Sequence, residues 1–568
     1  MKSAFDYSKK HKILLLVILP AFLLYMLIIF PSGTFFCFKA ACGINFWGVH
    51  GHDGIWHLAI ANVAFNKFPF VAPTFSGENL YGYNYLLDLF IFLLSKAGIP
   101  AIVSYFKILP AIWFILFTCL LIILARMIKN NPKFVGFFLF FNYFAGSFYY
   151  LIKLYHEGSI NDSSTQIPQP AMIMMSNPPF AYSLLLILWI LILLKDKEVS
   201  LKKFFLISFC LFLIIGLKFY AGAISVFLVV AYVMLFIPGM RIKLKYLFII
   251  CLFVIGGILL FYDPLRSLKT GAIFGFAPFA LVHTITESPN MVYLQNLTDA
   301  RYFLIAHGIG PRLIAIETLN LAIFLFFYLG TRFFGLFYLA FLLLKKQLGK
   351  FDFAVILAIV FSILLTVTLV QKAEWWNTIQ FFYYSIFLLT IYLSRLSFDL
   401  WNSKNMALKA GVIAIILLSI PTTFDMTKFF RTAPGATYVS KSELDALKFL
   451  SKQPDGVVLT SLYNKKWKDI LKTGEIFAYE DTAYVAAFTG KQLYLANILQ
   501  LRLTGVSYED RLTRVKDLDC SVLNEVDYVY EVKIFPDGEK IMARCSPKNA
   551  KKIYENSKTT VYSVKNSL

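Results

Sequence analysis

The chain has 568 residues, of which 58% are hydrophobic and only 15% are charged, and its mean hydropathy is +0.67. A soluble protein of this length needs more polar surface, so the composition excludes an ordinary soluble class and indicates many membrane spans. The net charge of +21 does not indicate nucleic-acid binding, because lysines and arginines stand mostly in short clusters between apolar runs, as the positive-inside rule expects.

Eleven apolar runs are long enough to cross a bilayer. The first run follows Lys9, Lys10 and Lys12, a basic flank that predicts a cytoplasmic N-terminus. No small-residue cleavage site follows soon after it, so we interpret this run as a retained helix rather than a signal peptide. The predicted spans are 13–30, 101–126, 133–153, 177–195, 203–219, 220–237, 246–262, 317–345, 353–370, 379–394 and 408–423.

The segment 85–97 decides the orientation of every later turn. Five basic turns between the later runs all lie in the cytoplasm only if this segment does not cross the membrane. It is short for a span and contains Asp88, so we interpret it as juxtamembrane or re-entrant. The sequence thus predicts a multi-pass protein of the cell membrane, whose outward-facing regions are 32–100, 154–176, 263–316 and 371–377.

The apolar pattern divides the chain into a transmembrane part, 1–424, and an extracytoplasmic part, 425–568. In the second part, GVVLTSL, QLYLANIL and VDYVYEVKIF predict strands. SKSELDALKFLSKQ predicts a helix that begins with a capping box from Ser440 to Glu443 or with Ser442 as the cap. The expected fold is a polytopic α-helical membrane protein of about 11 helices with a C-terminal soluble α/β domain.

The seven cysteines fit this division of the chain. Three of them lie within predicted spans, where cysteine serves as a small apolar packing residue: Cys119, Cys210 and Cys251. The other four form two candidate disulfides for an oxidising compartment: Cys37 with Cys42, and Cys520 with Cys545.

The stretch WGVHGHDGIWHLAIANVAFNKF, 47–68, places three histidines and one aspartate at the start of a predicted helix. Aspartate is a favoured helix N-cap, so residue chemistry alone favours a capping role for Asp53. His50, His52 and His57 could bind a metal with Asp53, but this is a weak motif because no further ligands accompany it. His57, four residues after Asp53, shares a helix face with it or anchors the helix at the interface.

This stretch, with the first span before it and the Gly- and Tyr-rich FSGENLYGYNYLLDLF after it, resembles the GT-C membrane glycosyltransferases. That superfamily includes protein O-mannosyltransferases, aminoarabinose transferases and oligosaccharyltransferases. Its members place an acidic residue in the first outer loop, followed by an amphipathic juxtamembrane helix. Seven spans then precede a long outer loop, and many members end in an outer soluble domain; here these elements are 263–316 and 425–568.

The resemblance implies transfer of a sugar from a polyprenyl-phosphate or polyprenyl-diphosphate donor to a lipid, glycan or protein acceptor at the extracytoplasmic face. The acceptor hydroxyl needs a general base, and Asp53 is the expected catalytic residue. Several members carry two adjacent acids, whereas Gly54 follows Asp53 here, so no cofactor is certain and a divalent metal is left open. Asp162 and His50 are only weak metal candidates, because no Asp-x-Asp is present in the second outer loop.

The leaving lipid phosphate needs fixed cations or a metal. Lys218 interrupts a continuous apolar stretch near the predicted outer boundary, where it binds the phosphate or snorkels to the interface. Trp375 and Trp376 form an interfacial aromatic belt or stack on the sugar, and Glu78 binds sugar hydroxyls or is an ordinary turn residue. The expected substrate-binding residues are His52, His57, Glu78, Lys218, Arg301, Lys372, Trp375, Trp376 and Asn377, with Arg266 and Arg312 as further outer cations.

Two other functions compete with the glycosyltransferase. A transporter or flippase of a polar lipid or glycolipid usually shows repeated halves and broken helices, and the sequence indicates neither. A scaffold that displays the C-terminal domain needs one span rather than eleven. The sequence leaves open the sugar, the acceptor, the number of donor phosphates and whether the C-terminal domain docks the acceptor or covers the site.

Overall fold

The structure is a computed structural model of the chain. It describes residues 2–39, 41–163, 177–196, 198, 200–264, 273–432, 434–545, 547–548 and 550–564. Two predicted features therefore lie outside the described residues, namely most of the second loop, 164–176, and the segment 265–272 that contains Arg266.

Helices form most of the apolar part of the chain, because backbone polar groups in lipid must be bonded within the protein. The described helices of this part are α1 (Lys2–Lys10), α2 (Leu15–Ile29), α3 (Asp53–Val63), α4 (Leu86–Lys96), α5 (Ala101–Ile128), α6 (Pro132–Phe144), α7 (Tyr149–Glu157), α8 (Pro178–Lys195), α9 (Leu201–Leu217), α10 (Phe219–Phe236), α11 (Met240–Tyr262), α12 (Ala280–Glu287), α13 (Gln295–Ala306), α14 (Pro311–Leu329), α15 (Arg332–Leu344), α16 (Lys350–Thr368), α17 (Ile379–Trp401), α18 (Met406–Ser419) and α19 (Pro421–Phe429).

The predicted fold class, a polytopic α-helical membrane protein with a C-terminal domain that contains strands, is confirmed. Among the described residues, nine helices are long and apolar enough to cross a membrane, or up to ten if α6 and α7, bent by 49°, are one span. The remaining difference from the eleven expected spans is α9, which has 17 residues, one fewer than the shortest helices counted.

The apolar run predicted as one span over 317–345 is interrupted at Gly330, whose φ of 58° separates α14 from α15. A Cβ there would lie 2.1 Å from the carbonyl oxygen of Gly146, so the close approach requires glycine. The buried Arg332 guanidinium donates to the carbonyl oxygens of Phe141 and Ala145, at 3.1 and 2.9 Å. It thus satisfies acceptors at the bend after α6, where helical partners run out.

The chain divides into two compact units. The helical unit comprises Met1–Met26, Ile112–Leu259 and Ala272–Phe429. The loop–tail unit comprises Leu27–Ala111, Leu260–Gly271 and Phe430–Leu568. The tail enters the second unit at Phe430, and the first loop belongs to the same unit, an association that the sequence did not indicate.

The loop–tail unit contains two sheets in the order β1-β2-β5 and β6-β7-β9-β8, whereas β3 and β4 pair in the helical unit. The strands are β1 (Thr34–Phe38), β2 (Ala41–Phe46), β3 (Phe274–Phe276), β4 (Leu369–Gln371), β5 (Thr437–Ser440), β6 (Val458–Thr460), β7 (Tyr528–Val532), β8 (Lys551–Glu555) and β9 (Thr559–Ser563). The helices of the tail are α20 (Lys441–Ser451), α21 (Lys465–Leu471), α22 (Ile476–Tyr479), α23 (Tyr484–Thr489), α24 (Ile498–Thr504), α25 (Glu509–Lys516) and α26 (Ile541–Cys545).

The first loop and the tail are joined by backbone pairing and by a shared core. β2 of the loop pairs antiparallel with β5 of the tail, with Ile44 opposite Val439. Ala72 and Phe75 of the loop lie in one hydrophobic cluster with tail residues such as Val529. Burial of these apolar side chains stabilises the loop only where the tail is present.

Three of the four elements predicted in the tail are confirmed. The hydroxyl of Ser440 accepts a hydrogen bond from the backbone N–H of Glu443 at the start of α20, as the capping box predicts. β6 and β7 lie within two of the predicted strands. The third predicted strand, QLYLANIL, gives only an isolated parallel bridge between Leu493 and Val458, and a helix begins at Ile498.

Both candidate disulfides are present, and both lie in the loop–tail unit. Cys37 and Cys42 face each other across the hairpin of β1 and β2, with their Cα atoms 4.0 Å apart. Cys520 and Cys545 join two segments of the tail that are 25 residues apart in sequence. The three free cysteines are Cys119, Cys210 and Cys251, as predicted.

Candidate functional site

The candidate site is at the start of α3, in the loop–tail unit. A short 3-10 turn, Gly48–Gly51, follows β2 and leads into His52, which is the N-cap residue of α3. Asp53 is therefore the first helical residue and not the N-cap. The capping role that residue chemistry favoured for Asp53 is wrong. Its side chain is 43% exposed, and the positive end of the helix dipole favours its negative charge.

A buried imidazole holds this carboxylate. The His52 Nδ1 lies 3.1 Å from the Asp53 Oδ1, and the His52 side chain is only 9% exposed. The other ring nitrogen, Nε2, is buried and has no hydrogen-bond partner within the described part of the chain. An unsatisfied buried nitrogen is costly, which marks this ring as more than a packing residue.

Two further carboxylates approach the same imidazole from the tail. Glu480 and Asp481 follow α22 directly, and both act electrostatically on His52. Burial alone lowers the pKa of His52, but the hydrogen bond and charge of Asp53 outweigh burial, and the charges of Glu480 and Asp481 add to them. The net result raises the pKa of His52 from 6.5 to about 8.

Asp481 is fixed by the start of α24. Its two carboxylate oxygens accept hydrogen bonds from the backbone N–H groups of Asn497 and Ile498, at 2.8 and 2.5 Å. Burial raises the pKa of Asp481, although these two hydrogen bonds oppose the shift. Asn497 has a left-handed φ of 53°, and both polar atoms of its buried amide have no hydrogen-bond partner among the described residues.

Aromatic rings border the carboxylates. A Cβ at Gly51 would lie 2.6 Å from the Thr437 methyl group and 3.2 Å from the Tyr479 ring, so the turn before His52 packs closely against the tail. Burial raises the pKa of Tyr83 well above 10, and the nearby charge of Asp53 contributes. The site therefore combines the part-exposed carboxylate of Asp53, the buried imidazole of His52, two further carboxylates from the tail and neighbouring aromatic rings.

His57 and His50 have structural partners. His57 is buried, and its Nδ1 lies 2.9 Å from Asp88 of α4, which is fully buried. Burial raises the pKa of Asp88, and the charge of His57 opposes this shift. α4 has 11 residues, too few to cross a bilayer. His50 is buried, with its Nδ1 2.7 Å from the Ser32 hydroxyl.

The remaining weak candidates are not part of this cluster. Asp162 lies in the helical unit, where its backbone N–H donates to Asp425 at 3.1 Å. Glu78 lies in a turn of the first loop, where its carbonyl oxygen accepts a hydrogen bond from the Ala72 backbone N–H at 2.8 Å. Within the described residues, no group of three or more His, Cys, Asp or Glu side chains is arranged to hold a metal ion.

The helical unit brings several of the other predicted residues together. Lys218 is the single residue between α9 and α10, so the long apolar stretch turns at this lysine. Near it, the Tyr220 hydroxyl donates to the Gln371 amide oxygen at 2.9 Å, and the Asn377 amide donates to the same oxygen at 2.8 Å. Lys372 follows Gln371 directly, and its side chain is exposed.

The two tryptophans of this turn are about half exposed, Trp375 by 46% and Trp376 by 50%. The Trp376 indole N–H donates to Glu374 at 3.0 Å. Arg301 differs from the two lysines because its guanidinium already pairs with Glu317 and Glu287, at 2.8 and 3.0 Å. Its charge is thus neutralised inside the helical unit.

Glu480, Asp481 and Asn497 were not anticipated from the sequence. The available signal is the pair of adjacent acids after an aromatic residue, AYED, in a lysine-rich tail. These acids could not be connected with the site from the sequence, because more than 400 positions separate them from the His52–Asp53 pair.

The fold is similar to solved structures of membrane glycosyltransferases. The oligosaccharyltransferase of Archaeoglobus fulgidus in its apo form matches over 91% of this chain and 69% of its own, at 12% identity and a TM-score of 0.49. The same enzyme in complex with zinc and sulfate matches at 14% identity over 91% of this chain and 68% of its own, with a TM-score of 0.46. ArnT from Cupriavidus metallidurans, bound to undecaprenyl phosphate, matches over 97% of this chain and 98% of its own, at 9% identity and a TM-score of 0.42.

At such identities the likeness concerns the fold alone and assigns no activity. No family model and no curated protein matches the chain.

Proposed function

We propose that the protein is a membrane glycosyltransferase that moves a sugar from a polyprenyl-phosphate-linked donor to an acceptor hydroxyl, with Asp53 as the general base. The observation that carries the proposal is a part-exposed carboxylate held at 3.1 Å by a buried imidazole. A nucleophile can reach such an acid, while the imidazole fixes its orientation. A positioned base typically contributes about 10²–10⁴-fold to a rate.

In this mechanism His52 positions Asp53, and Asp53 takes the proton from the acceptor hydroxyl as that oxygen attacks the anomeric carbon. The bond from the anomeric carbon to the lipid phosphate breaks, and the phosphate leaves with the electron pair. The hydrogen bond and charge of Asp53, with smaller contributions from Glu480 and Asp481, outweigh burial and raise the pKa of His52 to about 8, which keeps this imidazole protonated near neutral pH. The leaving phosphate requires positive charge elsewhere.

We assign that positive charge to Lys218 and Lys372 of the helical unit. Lys218 lies at the turn between two apolar helices, near the outer membrane boundary that the hydropathy pattern predicts. Lys372 is exposed beside the hydrogen-bonded cluster of Tyr220, Gln371 and Asn377. The neighbouring tryptophans, both about half exposed, supply surfaces for the sugar.

The orientation of the protein forms part of the proposal. Both disulfides lie in the loop–tail unit, which supports exposure of that unit to an oxidising compartment. We therefore place the loop–tail unit on the extracytoplasmic side of the cell membrane and the basic N-terminus in the cytoplasm.

The direct test uses purified protein in nanodiscs with a labelled polyprenyl-phosphate sugar and measures release of lipid phosphate and transfer of the label. We expect Asp53→Asn to lower turnover by at least about 100-fold. Asp455→Asn, a change at an acid whose side chain is 68% exposed, is the matched control and should retain full turnover. Unchanged turnover in Asp53→Asn would contradict the assignment of the base.

The lysines are tested separately. Lys218→Ala and Lys372→Ala should each raise the KM for the donor by about tenfold, a free-energy loss of about 1.4 kcal/mol. Lys404→Ala, at an exposed position after α17, should leave that KM unchanged. An equal rise in all three variants would show a general charge effect instead of phosphate binding.

Flipping of a glycolipid is the second candidate function, because the bent pair α6 and α7 is the kind of broken helix found in transporters. Movement of a fluorescent glycolipid between leaflets, without release of lipid phosphate, would favour it. At this bend, the Arg332 side chain donates hydrogen bonds to the carbonyl oxygens of Phe141 and Ala145, which supports a structural role for the break.

A further inference from the structure

A cavity of about 490 Å³ lies in the tail. It shares residues 460–463 and Phe535 with a smaller cavity that Glu480 and Asp481 line, but neither of these acids lines the larger one. β6 and β7 run parallel, with Thr460 opposite Tyr530, and both of these residues line the cavity. Ser461, the first residue after β6, lines it as well. Crevices beyond the carboxyl ends of parallel strands are a common place for ligands, and the volume is within the range of small-molecule sites.

The carboxylates that line this cavity have hydrogen-bond partners, whereas its two lysines form no ion pair among the described residues. Of its two carboxylates, Glu531 accepts a hydrogen bond from the Met542 backbone N–H at 3.2 Å, and Glu539 accepts one from the Trp467 indole at 3.0 Å. Lys465 and Lys516 also line the cavity, and both side chains are exposed. Other lysines of the loop–tail unit do form ion pairs, among them Lys67–Asp455, Lys533–Glu555, Lys552–Glu555 and Lys558–Glu475.

Lys465 and Lys516 form no ion pair within 4 Å among the described residues, so both ammonium groups are available to a ligand beside the two carboxylates of the cavity. The hydroxyls of Thr460 and Ser461 add hydrogen-bonding groups, and the half-buried Tyr463 ring supplies an aromatic surface. Hydroxyls and amides that bind ring hydroxyls, an aromatic surface against a pyranose face, and ammonium groups for an oxyanion together match an acidic sugar.

We propose that this cavity binds an acidic oligosaccharide, with Lys465 and Lys516 on its carboxylate or phosphate group and Thr460 and Ser461 on its ring hydroxyls. Binding at this cavity requires no sugar transfer. It is therefore a property beyond the proposed function and can be measured without turnover.

The test measures binding to the full-length protein in detergent micelles by titration calorimetry. Three probes are compared: the disaccharide of glucuronic acid and N-acetylglucosamine, mannose 6-phosphate, and the neutral disaccharide N,N′-diacetylchitobiose. We expect at least one acidic probe to bind at least tenfold more tightly than the neutral one, and its affinity to fall as salt rises. The tighter of the two acidic probes identifies the oxyanion as carboxylate or phosphate.

Lys465→Gln combined with Lys516→Gln should weaken the acidic probe at least tenfold. Lys466→Gln is the matched control, because Lys466 neighbours Lys465 and is exposed, yet does not line the cavity. An unchanged melting temperature shows that the variants are folded. Equal affinity for all three probes, no saturable binding, or the same loss in Lys466→Gln would overturn the proposal.

Discussion

His52 is the residue on which the candidate site depends most directly. It is buried, it contacts Asp53 at 3.1 Å, and its second ring nitrogen has no hydrogen-bond partner in the described chain. On the sequence alone, His52 and His57 are together expected as substrate-binding residues and His50 is a weak metal candidate. The structure separates them, because His50 and His57 each have a partner that accounts for their burial, whereas His52 lies among carboxylates.

Replacing His52 with glutamine should flatten the pH dependence of stability. The pKa of His52 rises from 6.5 to about 8 on folding, so its contribution is complete below about pH 6.5 and is lost as pH rises through about 8. The shift corresponds to about 2 kcal/mol. Apparent Tm in detergent should therefore decline from pH 6 to pH 9 less steeply in His52→Gln than in the native protein. His307→Gln, at an exposed histidine, should keep the native slope, and a native slope in His52→Gln would contradict the prediction.

At the scale of elements, local signals were predictable and distant partners were not. The cap at Ser440 was readable because Glu443 follows three residues later, and the structure confirms the hydrogen bond from the Glu443 backbone N–H to the Ser440 hydroxyl. The reciprocal half of the box differs, because the Glu443 carboxylate accepts from the Ser440 hydroxyl. QLYLANIL contains a short continuous apolar run that predicts a buried strand, but Asp481 accepts hydrogen bonds from the N–H groups of Asn497 and Ile498, where a helix begins. Asp53 was placed at the correct helix start, whereas the choice between cap and first turn depends on backbone angles that composition does not reveal.

The hydrogen bonds of Arg332 at the bend after α6 can be tested by substitution. Arg332→Leu should lower the stability of the helical unit by about 3 kcal/mol, because the carbonyl oxygens of Phe141 and Ala145 lose their buried donors. Scanning fluorimetry in detergent measures the drop in Tm. Arg312→Leu, at an exposed position of α14, should change stability by less than about 0.5 kcal/mol. A similar small change in Arg332→Leu would show that the bend is satisfied in another way.

Glu443, in the first turn of α20, makes the stability of the protein depend on pH. Burial raises the pKa of this carboxyl from 4.5 to about 7, although hydrogen bonds from Tyr484, Ser440 and Tyr530 oppose the shift. Its contribution to stability is therefore present below about pH 4.5 and is lost as pH rises through about 7. Between pH 5 and pH 8 the native protein should lose up to about 3 kcal/mol more of its free energy of unfolding than Glu443→Gln does. Apparent Tm at the two pH values measures this, with Glu509→Gln, an exposed acid, as the control.

At the scale of the whole molecule, hydropathy was enough to predict the helical fold class but not the composition of the compact units. The spans follow from run length, since lipid requires about 20 apolar residues per helix. The association of the first loop with the tail depends on pairing between β2 and β5 and on a core shared across hundreds of residues. No periodicity in one segment specifies a partner so far away, so Glu480 and Asp481 were out of reach of the sequence.

This association predicts how a shortened chain should behave. A chain that ends at Phe429 lacks β5 and the tail residues that cover Ala72 and Phe75, so its first loop loses both strand pairing and core burial. Limited proteolysis in micelles, followed by N-terminal sequencing, should show rapid cleavage within 32–85 in the shortened chain and protection of the same segment in the full chain. Cleavage within the helices of the helical unit should be equally slow in both, which controls for general unfolding. Equal protection of the first loop in the two proteins would mean that the loop folds without the tail.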